Sequence, residues 1–326
     1  ALAEWRRGEL LIVPPVRLLL RLLEDKPDNG YHDVVKDLTS AYARGKLHRV
    51  RFNPGILIAP LKSPTLPPAT HTNCYLIGDR SIYIIDPAAT EASEQEKLWE
   101  LLDEFIGEGR TLEAIILTHN HADHIASAQP AKKRYGIPLL AHAETIRMLP
   151  DLEFDDEITH QAVLPLGNSP DGKPGWEMIA YHTPGHARGH LIFKENRYHS
   201  VIAGDLVSTL SSIIVDPDDG HLTTYMGSLR VLAELSDATV YPAHGPPARE
   251  GRQLVQRAID HREEREGQIF AALAGSAQTT QELLPKAYAD VEPNFYHVAE
   301  RALISGLIKL VEDGHAIKNE QGYMLA

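Results

Sequence analysis

Short apolar runs alternate with polar turns along most of this chain. Between residues 50 and 250 these runs are rich in Ile, Val, Leu and Tyr and are bounded by turn-forming residues, a pattern typical of strands. The predicted strands lie at 56–58, 75–77, 82–85, 114–117, 137–140, 177–180, 191–193, 200–203 and 239–241. Several of them end directly at a His or an Asp. The pattern therefore predicts a layered α/β fold whose chemistry lies on the loops that follow the strands.

The two ends of the chain have a different pattern. Residues 1–48 are rich in Leu and Arg and predict helices, with a turn at 27–30. A charged helix is predicted over about 252–273, and beyond it Thr279 and Glu282 match a capping box. A helix from about 298 and short strands at 316–318 and 323–325 complete the pattern of a winged helix. We divide the chain into an N-terminal helical segment (1–48), a central domain (49–250), a linking helix (251–275) and a winged-helix domain (276–326).

Composition narrows the class of protein. Of 326 residues, 43% are hydrophobic and 24% are charged, which excludes a disordered or collagen-like chain. Lys and Arg number 32 against 45 Asp and Glu, a net charge of −13 that argues against a general nucleic-acid-coating role. No run reaches the ~18 apolar residues of a membrane span, and prolines and arginines interrupt the apolar stretch 10–23. With one Cys and no signal-like segment, we expect a cytoplasmic protein without a membrane partner.

Histidine is abundant, whereas cysteine is nearly absent. The chain has 17 His and a single Cys, so thiolate-based zinc sites are excluded and any bound metal must use imidazoles and carboxylates. Four such side chains lie within six residues, directly after a predicted buried strand: His119, His121, Asp123 and His124. On a loop, side chains two residues apart can converge on one metal while the next pair reaches a second. This spacing predicts a site for divalent metal ions.

Three further side chains lie at the ends of later strands or on a turn that contains Gly. His186 follows Thr-Pro-Gly, Asp205 follows Ala-Gly, and His244 follows Tyr-Pro-Ala. Each of these residues alone is unremarkable, because an Asp after Gly is usually a turn former.

Together, the order of these residues resembles the metallo-β-lactamase superfamily. The match consists of His-x-His-x-Asp-His at 119–124, then His186, Asp205 and His244, with Asp86 as the early strand-end aspartate. It covers about residues 50–250. The resemblance implies an αββα metallo-β-lactamase sandwich with a two-metal site at one edge, followed here by the small winged-helix domain.

The resemblance also implies a role for each side chain. The ligands would form two sets joined by a bridging carboxylate: His119, His121 and His186 for one ion, Asp123, His124 and His244 for the other, and Asp205 between them. The expected cofactors are two Zn²⁺ ions, with Mn²⁺ or Fe²⁺ as alternatives. Asp86 would orient the ligand loop through hydrogen bonds, or else would only cap the turn before Pro87. Apart from the resemblance, His190 lies four residues after His186, so it would support a ligand in the same way or else is a structural histidine.

Hydrolysis is the chemistry that such a site implies. Two divalent ions can lower the pKa of a shared water from ~15.7 to about 7, and the bridging hydroxide would then attack a carbonyl carbon or a phosphorus. Asp205 would hold both ions and Asp123 would orient the nucleophile, so we expect both to be catalytic. No Ser or Cys nucleophile is needed, and Cys74 lies in a strand-like context that favours packing.

Three functions are candidates for such a site. Asp205 argues against secreted zinc β-lactamases, which leaves a glyoxalase II-like thioesterase or related hydrolase of small acyl esters as the first. The tail beyond 225 resembles the beta-lactamase-like protein 2 family, which includes an endoribonuclease that acts on single-stranded RNA, the second. A non-catalytic metal-binding module is the third. Residues 276–326 carry four basic and seven acidic side chains, a charge balance that does not favour binding to phosphates. Homodimerisation is then another role for the winged helix.

Two further interpretations concern particular segments. Tyr225 is expected to line the substrate cleft, although a core position is the alternative. Residues 1–48 weakly resemble the C-terminal end of a Nudix-like domain, or else the segment simply packs on the hydrolase domain.

Overall fold

The computed structural model describes residues 1–10, 12–25, 31–43 and 50–326. Its first elements are three helices: α1 (Leu2–Arg6), α2 (Pro14–Asp25) and α3 (Tyr31–Ala43). The described part of the N-terminal segment is thus helical, as predicted, whereas the predicted turn at 27–30 lies outside the described residues. Trp5 attaches this segment to the rest of the chain, because its indole nitrogen donates a 2.9 Å hydrogen bond to the carbonyl of Phe52.

The first sheet has six strands in the order β1-β2-β3-β4-β5-β6. They are β1 (Ile56–Lys62), β2 (His71–Ile77), β3 (Ser81–Ile85), β4 (Thr111–Ile116), β5 (Leu139–Ala141) and β6 (Asp156–Glu157). The pairs β1–β2 and β2–β3 are antiparallel, and β3 to β6 run parallel to one another. Helix α4 (Ala92–Gly107) makes the crossover from β3 to β4. The carboxyl ends of β3 and β4 therefore meet at the same edge of the sheet.

The second sheet has five strands in the order β11-β10-β9-β8-β7. They are β7 (Val163–Gly167), β8 (Trp176–His182), β9 (Leu191–Glu195), β10 (Ser200–Gly204) and β11 (Thr239–Pro242). Only β10 and β11 among these are paired in parallel. Their carboxyl ends therefore also lie at one edge.

Five further helices belong to this region, and the last two of them, with 14 and 22 residues, are the longest. They are α5 (Ala122–Ile125), α6 (Ala128–Tyr135), α7 (Ala143–Met148), α8 (Leu222–Leu235) and α9 (Gly251–Ala272). The sequence pattern predicted α9 but not the other four, and it also did not predict β6 and β7. Elements of two to six residues, such as β6, α5 and α7, are too short to display a full hydrophobic period.

The two sheets pack face to face, with helices on both outer faces. Ile82 and Ile84 of β3 contact the core under α4, whereas Tyr83 and Ile85 contact the core between the sheets. Both faces of this strand are buried, which explains its uninterrupted apolar sequence. A third core lies between the second sheet and helices α8 and α9. These four layers confirm the predicted α/β fold, the αββα sandwich.

The C-terminal elements share a core of their own. They are α10 (Thr280–Ala287), a 3₁₀ turn (Pro293–Phe295), α11 (Tyr296–Glu312), β12 (Ala316–Asn319) and β13 (Gly322–Leu325). The capping box is present, with the Thr279 hydroxyl accepting from the Glu282 amide and the Glu282 carboxylate accepting from the Thr279 amide. Leu283, Leu303 and Leu307 pack with Ile269 of α9. The elements follow the predicted order, and their identity as a winged helix stays a prediction.

Within the described ranges, every helix is too short or too polar to cross a bilayer.

Candidate metal centre

Loops at one edge of the two sheets bring the predicted site residues together. The loop after β4 carries His119 and His121 and leads into α5, whose first turn contains Asp123 and His124. The loops after β8, β10 and β11 contribute the other three, namely His186, Asp205 and His244. All seven predicted ligands therefore lie where the carboxyl ends of β3, β4, β8, β10 and β11 meet.

The backbone is tightly constrained at two of these strand ends. Asp86 and Gly204 have φ values of +52° and +50°, in the left-handed region. A Cβ at Gly204 would lie only 2.7 Å from Nε2 of His190. Glycine at this position thus lets the chain turn after β10 and present Asp205 to the site.

The first predicted ligand set is compact. The ligand atoms of His119, His121 and His186 all lie within 4.8 Å of one another. His186 donates from Nδ1 to the carbonyl of Ile214 at 2.9 Å, which leaves its Nε2 as the atom that faces the cluster. Nε2 of His119 lies 3.0 Å from Nδ1 of His121. The outward nitrogens of these two rings face the Thr118 hydroxyl and the Asp219 carboxylate, so we assign the inward pair as lone-pair nitrogens.

The second predicted set is held in the same manner. The ligand atoms of Asp123, His124 and His244 also lie within 4.8 Å of one another. His124 donates from Nδ1 to Asp86 at 2.8 Å, and His244 donates from Nδ1 to the carbonyl of His71 at 3.1 Å. Each ring is thereby fixed in orientation with Nε2 directed inward.

Asp205 lies between the two sets. Its Oδ2 is 3.5 Å from Nε2 of His124 and 3.6 Å from Nε2 of His186. Its Oδ1 is 3.3 Å from Nε2 of His244. One carboxylate thus faces imidazoles of both sets, the position that a bridging ligand requires.

Burial and neighbouring charges shift the pKa values of the cluster. Burial lowers the pKa of His186 to about 4 and lowers that of His119 well below its usual range, with help from neighbouring histidines. Burial opposes ionisation of Asp123, but its hydrogen bond to His244 and the charge of His124 hold its pKa at about 2. Against its own burial, His244 has a pKa raised to about 10 by Asp205 and Asp123. The carboxylates therefore stay ionised and attract positive charge, which protons or metal ions can supply.

The geometry of the cluster fits divalent metal ions. Nε2 of His124, Nε2 of His186 and Oδ1 of Asp205 are buried atoms without a hydrogen-bond partner in the described part of the chain. Leaving one such atom unpaired costs about 1–3 kcal/mol. With the tautomers assigned above, the two lone-pair nitrogens of His119 and His121, 3.0 Å apart, also repel each other. Cations remove both problems at once. Imidazole and carboxylate donors suit Zn²⁺, Mn²⁺ and Fe²⁺ alike.

Asp86 and His190 support the cluster without facing it. The Asp86 carboxylate accepts from the Thr118 amide at 2.7 Å, from the Thr118 hydroxyl at 2.6 Å and from His124. Nε2 of His190 accepts from the Asp205 amide at 3.1 Å, and its Nδ1 lies 3.0 Å from the Thr183 hydroxyl. Both side chains are buried and orient a neighbouring predicted ligand through hydrogen bonds.

Asp219 is a residue of the site that the sequence pattern missed. Its Oδ2 accepts from the side-chain Nδ2 of Asn120 at 3.0 Å and lies 3.2 Å from Nε2 of His121. It therefore fixes the ring orientation of His121 as Asp86 does for His124. Its sequence context, Asp-Pro-Asp-Asp-Gly at 216–220, is typical of a turn and gives no sign of a metal site.

The expectation that Tyr225 lines the substrate cleft disagrees with the structure. Its side chain is 1% exposed and packs in the core beneath α8. Its hydroxyl donates to the carbonyl of Leu206 at 2.8 Å. A satisfied hydroxyl in a buried ring leaves nothing for a substrate to contact, so Tyr225 has the core role that was the alternative.

Helix α11 supports the loop that carries Asp219. The Arg301 guanidinium donates to both Oδ atoms of Asp216, at 2.8 and 2.5 Å, and also pairs with Asp218. Ser305 of the same helix donates to the carbonyl of Val215 at 2.6 Å. The C-terminal elements thus hold the segment between β10 and α8 in place against the metal centre.

We expect Arg301→Ala to weaken metal binding by several-fold, up to about tenfold. Substitution of a residue that hydrogen-bonds to a metal ligand typically lowers metal affinity 10–100-fold, and Arg301 only holds the loop that carries such a residue, Asp219. The measurement is the chelator concentration that removes half of the bound metal. Arg252→Ala is the matched control, since Arg252 makes an exposed ion pair with Asp237 away from this loop. Equal chelator midpoints for the two variants would contradict the supporting role.

A family comparison agrees with this geometry. A model described as the Metallo-beta-lactamase superfamily matches residues 67–244. The matched span contains Asp86 and all seven predicted ligands.

Three curated relatives extend the match. The lactamase-like protein adaB of Aspergillus niger is 30% identical over 261 residues, which cover 74% of this chain and 75% of that protein. An atrochrysone carboxyl ACP thioesterase of Aspergillus fumigatus is 25% identical, with 78% and 81% covered. A beta-lactamase-like protein 2 homolog of Drosophila melanogaster is 23% identical, with 74% and 83% covered.

A solved structure shows the same fold. A beta-lactamase domain protein from Burkholderia ambifaria superposes with a TM-score of 0.73 over 85% of this chain and 93% of that chain. Its sequence is 16% identical, so this likeness concerns the fold alone.

Proposed function

Because the chain belongs to the metallo-beta-lactamase superfamily, whose members are largely metal-dependent hydrolases, we propose that it hydrolyses an acyl thioester to a carboxylic acid and a thiol. The observation that carries the proposal is the cluster of seven His and Asp side chains at one sheet edge. The name of the thioesterase relative, matched over 78% of this chain, supports thioester over other acyl substrates. The substrate of this chain is then a small-molecule or carrier-bound acyl thioester.

The residues of the site divide into those that hold metal and one that handles the attacking water. His119, His121 and His186 would hold one ion, Asp123, His124 and His244 the other, and Asp205 would serve both. Ions bound there would lower the pKa of water and polarise the substrate carbonyl. The Asp123 side chain is 16% exposed and ionised at neutral pH, so its free oxygen can accept a hydrogen bond from the water and orient it.

The thioester also suits the site because its leaving group needs little help. A thiol has a pKa of about 8.5, so a thiolate can depart at neutral pH without a general acid. Asp123, the most accessible acid of the cluster, is ionised and has no proton to donate. The chain's single thiol, Cys74, is fully buried in β2, and burial raises its pKa, so it cannot serve as the nucleophile. Water is therefore the nucleophile that we assign.

Cleavage of single-stranded RNA is the second candidate, supported by the beta-lactamase-like protein 2 homolog among the relatives. The C-terminal elements argue against it. Arg301 is held by Asp216 and Asp218, and Lys309 by Glu266 and Asp313, so these two cations are engaged within the chain. A phosphate backbone binds to basic side chains that can release counterions. Assignment to that branch, and the winged-helix domain at 276–326, remain proposals.

We expect the purified metal-loaded protein to release thiol from S-lactoylglutathione or an acyl-pantetheine, and to leave a labelled single-stranded RNA intact. Thiol release is followed with a chromogenic disulfide, and RNA integrity by gel. Cleaved RNA with unreacted thioesters would replace the proposal by the ribonuclease. Full metal occupancy without turnover of either substrate would favour a non-catalytic metal-binding module.

A further inference from the structure

A cavity lies at the opposite end of the first sheet from the metal centre. It has a volume of about 230 Å³ and is lined by residues of α1 and α2 and by residues that precede β3 and β4, among them Asp79 and Arg110. The metal centre lies beyond the carboxyl ends of these two strands. The five residues of β3 alone separate the sites by roughly 17 Å at ~3.3 Å per residue.

Arginines dominate this cavity. Its lining contains five of them: Arg6, Arg17, Arg21, Arg51 and Arg110. Asp79 is the only acidic side chain among the lining residues. A charge balance of five to one stands out in a chain whose net charge is −13. We propose that the cavity binds a small anion with two or more negative charges, of the pyrophosphate or phosphorylated-metabolite class.

Arg17 is the central observation. It is 9% exposed, and its Nε has no hydrogen-bond partner in the parts of the chain that the structure describes. The guanidinium lies 5.0 Å from the ring centroid of Trp5, so it rests on an aromatic face and not on a carboxylate. A buried cation is costly unless it is paired, and an anion in the cavity would supply Arg17 with the partner that the described residues do not provide.

Arg51 and Arg110 are arranged in a similar way around Phe105. Their guanidinium carbons lie 5.6 and 4.3 Å from the Phe105 ring centroid. Burial, assisted by the charges of Arg17 and Arg110, lowers the pKa of Arg51 to about 9. The arginines therefore repel one another, and stacking on an aromatic ring does not neutralise that repulsion.

Carboxylates of the described residues pair with Arg6 and Arg110 but not with Arg17 or Arg51. Arg6 pairs with Glu24, and Arg110 lies 3.2 Å from Glu108. Among the described residues, no carboxylate lies within ion-pair distance of Arg17 or Arg51. The unmatched charge is thus concentrated on these two side chains.

The ligand class follows from the shape of the donors and the size of the cavity. Each guanidinium presents two parallel N–H groups that match two oxygen atoms of a phosphate. A single monovalent ion cannot use this paired arrangement. A volume of about 230 Å³ is below the ~300–1,000 Å³ of typical pockets for drug-sized ligands. Two linked phosphate groups, or one phosphate on a small organic group, are the ligands that suit both features.

Isothermal titration of the metal-loaded full chain with sodium pyrophosphate, at fixed ionic strength, tests the proposal. We expect Arg17→Gln and Arg51→Gln to bind at least roughly tenfold more weakly than the wild type, the loss typical of a charge-assisted pair. Arg252→Gln is the control, because it removes an exposed arginine from α9, and it should bind like the wild type. Inorganic phosphate, titrated in parallel, should bind more weakly than pyrophosphate if two linked groups are recognised; equal affinity would instead indicate a single-phosphate ligand of the same class.

The design separates this cavity from the metal centre, which can also attract phosphates. Binding that is equal in the wild type and both arginine variants but lost in Asp205→Ala would assign pyrophosphate to the metal centre and overturn the proposal. Absence of measurable binding to the wild type would overturn it as well. Thermal unfolding without added anion checks that each variant is folded, and the two arginine variants provide independent tests if one of them is not.

Discussion

Replacing Asp205 by alanine is expected to remove bound metal and to lower thioester hydrolysis by roughly 10³-fold or more, since losing even one charge-stabilising group at an active site costs about 10²–10³. Asp205 is the carboxylate that faces His124, His186 and His244 at 3.3–3.6 Å. Its removal takes one ligand from each set and leaves the imidazoles without the charge that attracts cations. Metal per chain, measured by mass spectrometry, should fall together with turnover.

The control for this variant is Asp237→Ala, which removes an exposed carboxylate paired with Arg252. It should retain both metal and activity. A chelator should lower the melting temperature of the wild type but not that of Asp205→Ala, because a ligand at about 100 times its dissociation constant stabilises the fold by ~2.7 kcal/mol. An Asp205→Ala protein with two ions per chain and full turnover would rule out the bridging role.

The sequence predicted every strand of the sandwich except β6 and β7, because the signal of a strand is local. Each of Ile82 to Ile85 is apolar since each faces one of two cores, and the run needs no knowledge of the partner strands. Helices α5 and α7 have only four and six residues, too few to show the hydrophobic period of a helix. Residues of such short helices are also held by contacts that are distant in sequence, such as the bond from His124 of α5 to Asp86.

The candidate site could be predicted from the sequence to the extent that its residues are close in sequence or fit the order of a known family. His119 to His124 form a local motif, whereas His186, Asp205 and His244 acquired meaning only through the family resemblance. Asp219 contacts His121 across 98 positions of chain, a relation that no local pattern contains. The arginine cavity is similar, because Arg17 and Arg51 converge only after the N-terminal helices pack on the sheet.

Substitution of Asp86 decides between its two predicted roles, as an orienter of the metal ligands or as a turn cap. The carboxylate accepts from the Thr118 amide, the Thr118 hydroxyl and Nδ1 of His124 while only 1% exposed. Asp86→Ala leaves these buried donors unpaired, so we expect the free energy of unfolding to fall by about 3–5 kcal/mol. Thermal or denaturant unfolding measures this loss, with Asp103→Asn, at an exposed ion pair, as the control.

Asp86→Asn separates orientation from turn formation. Asparagine tolerates the φ of +52° and forms turns as readily as aspartate, so a pure turn cap would keep wild-type metal affinity. An orienting carboxylate would not, because the amide has one acceptor oxygen for three donors and directs its NH₂ group at one of them. We therefore expect metal affinity to fall 10–100-fold, in the range for residues that hold a ligand by hydrogen bonds. Competition with a fluorescent chelator gives this affinity, and a value equal to that of the wild type would leave Asp86 with the turn alone.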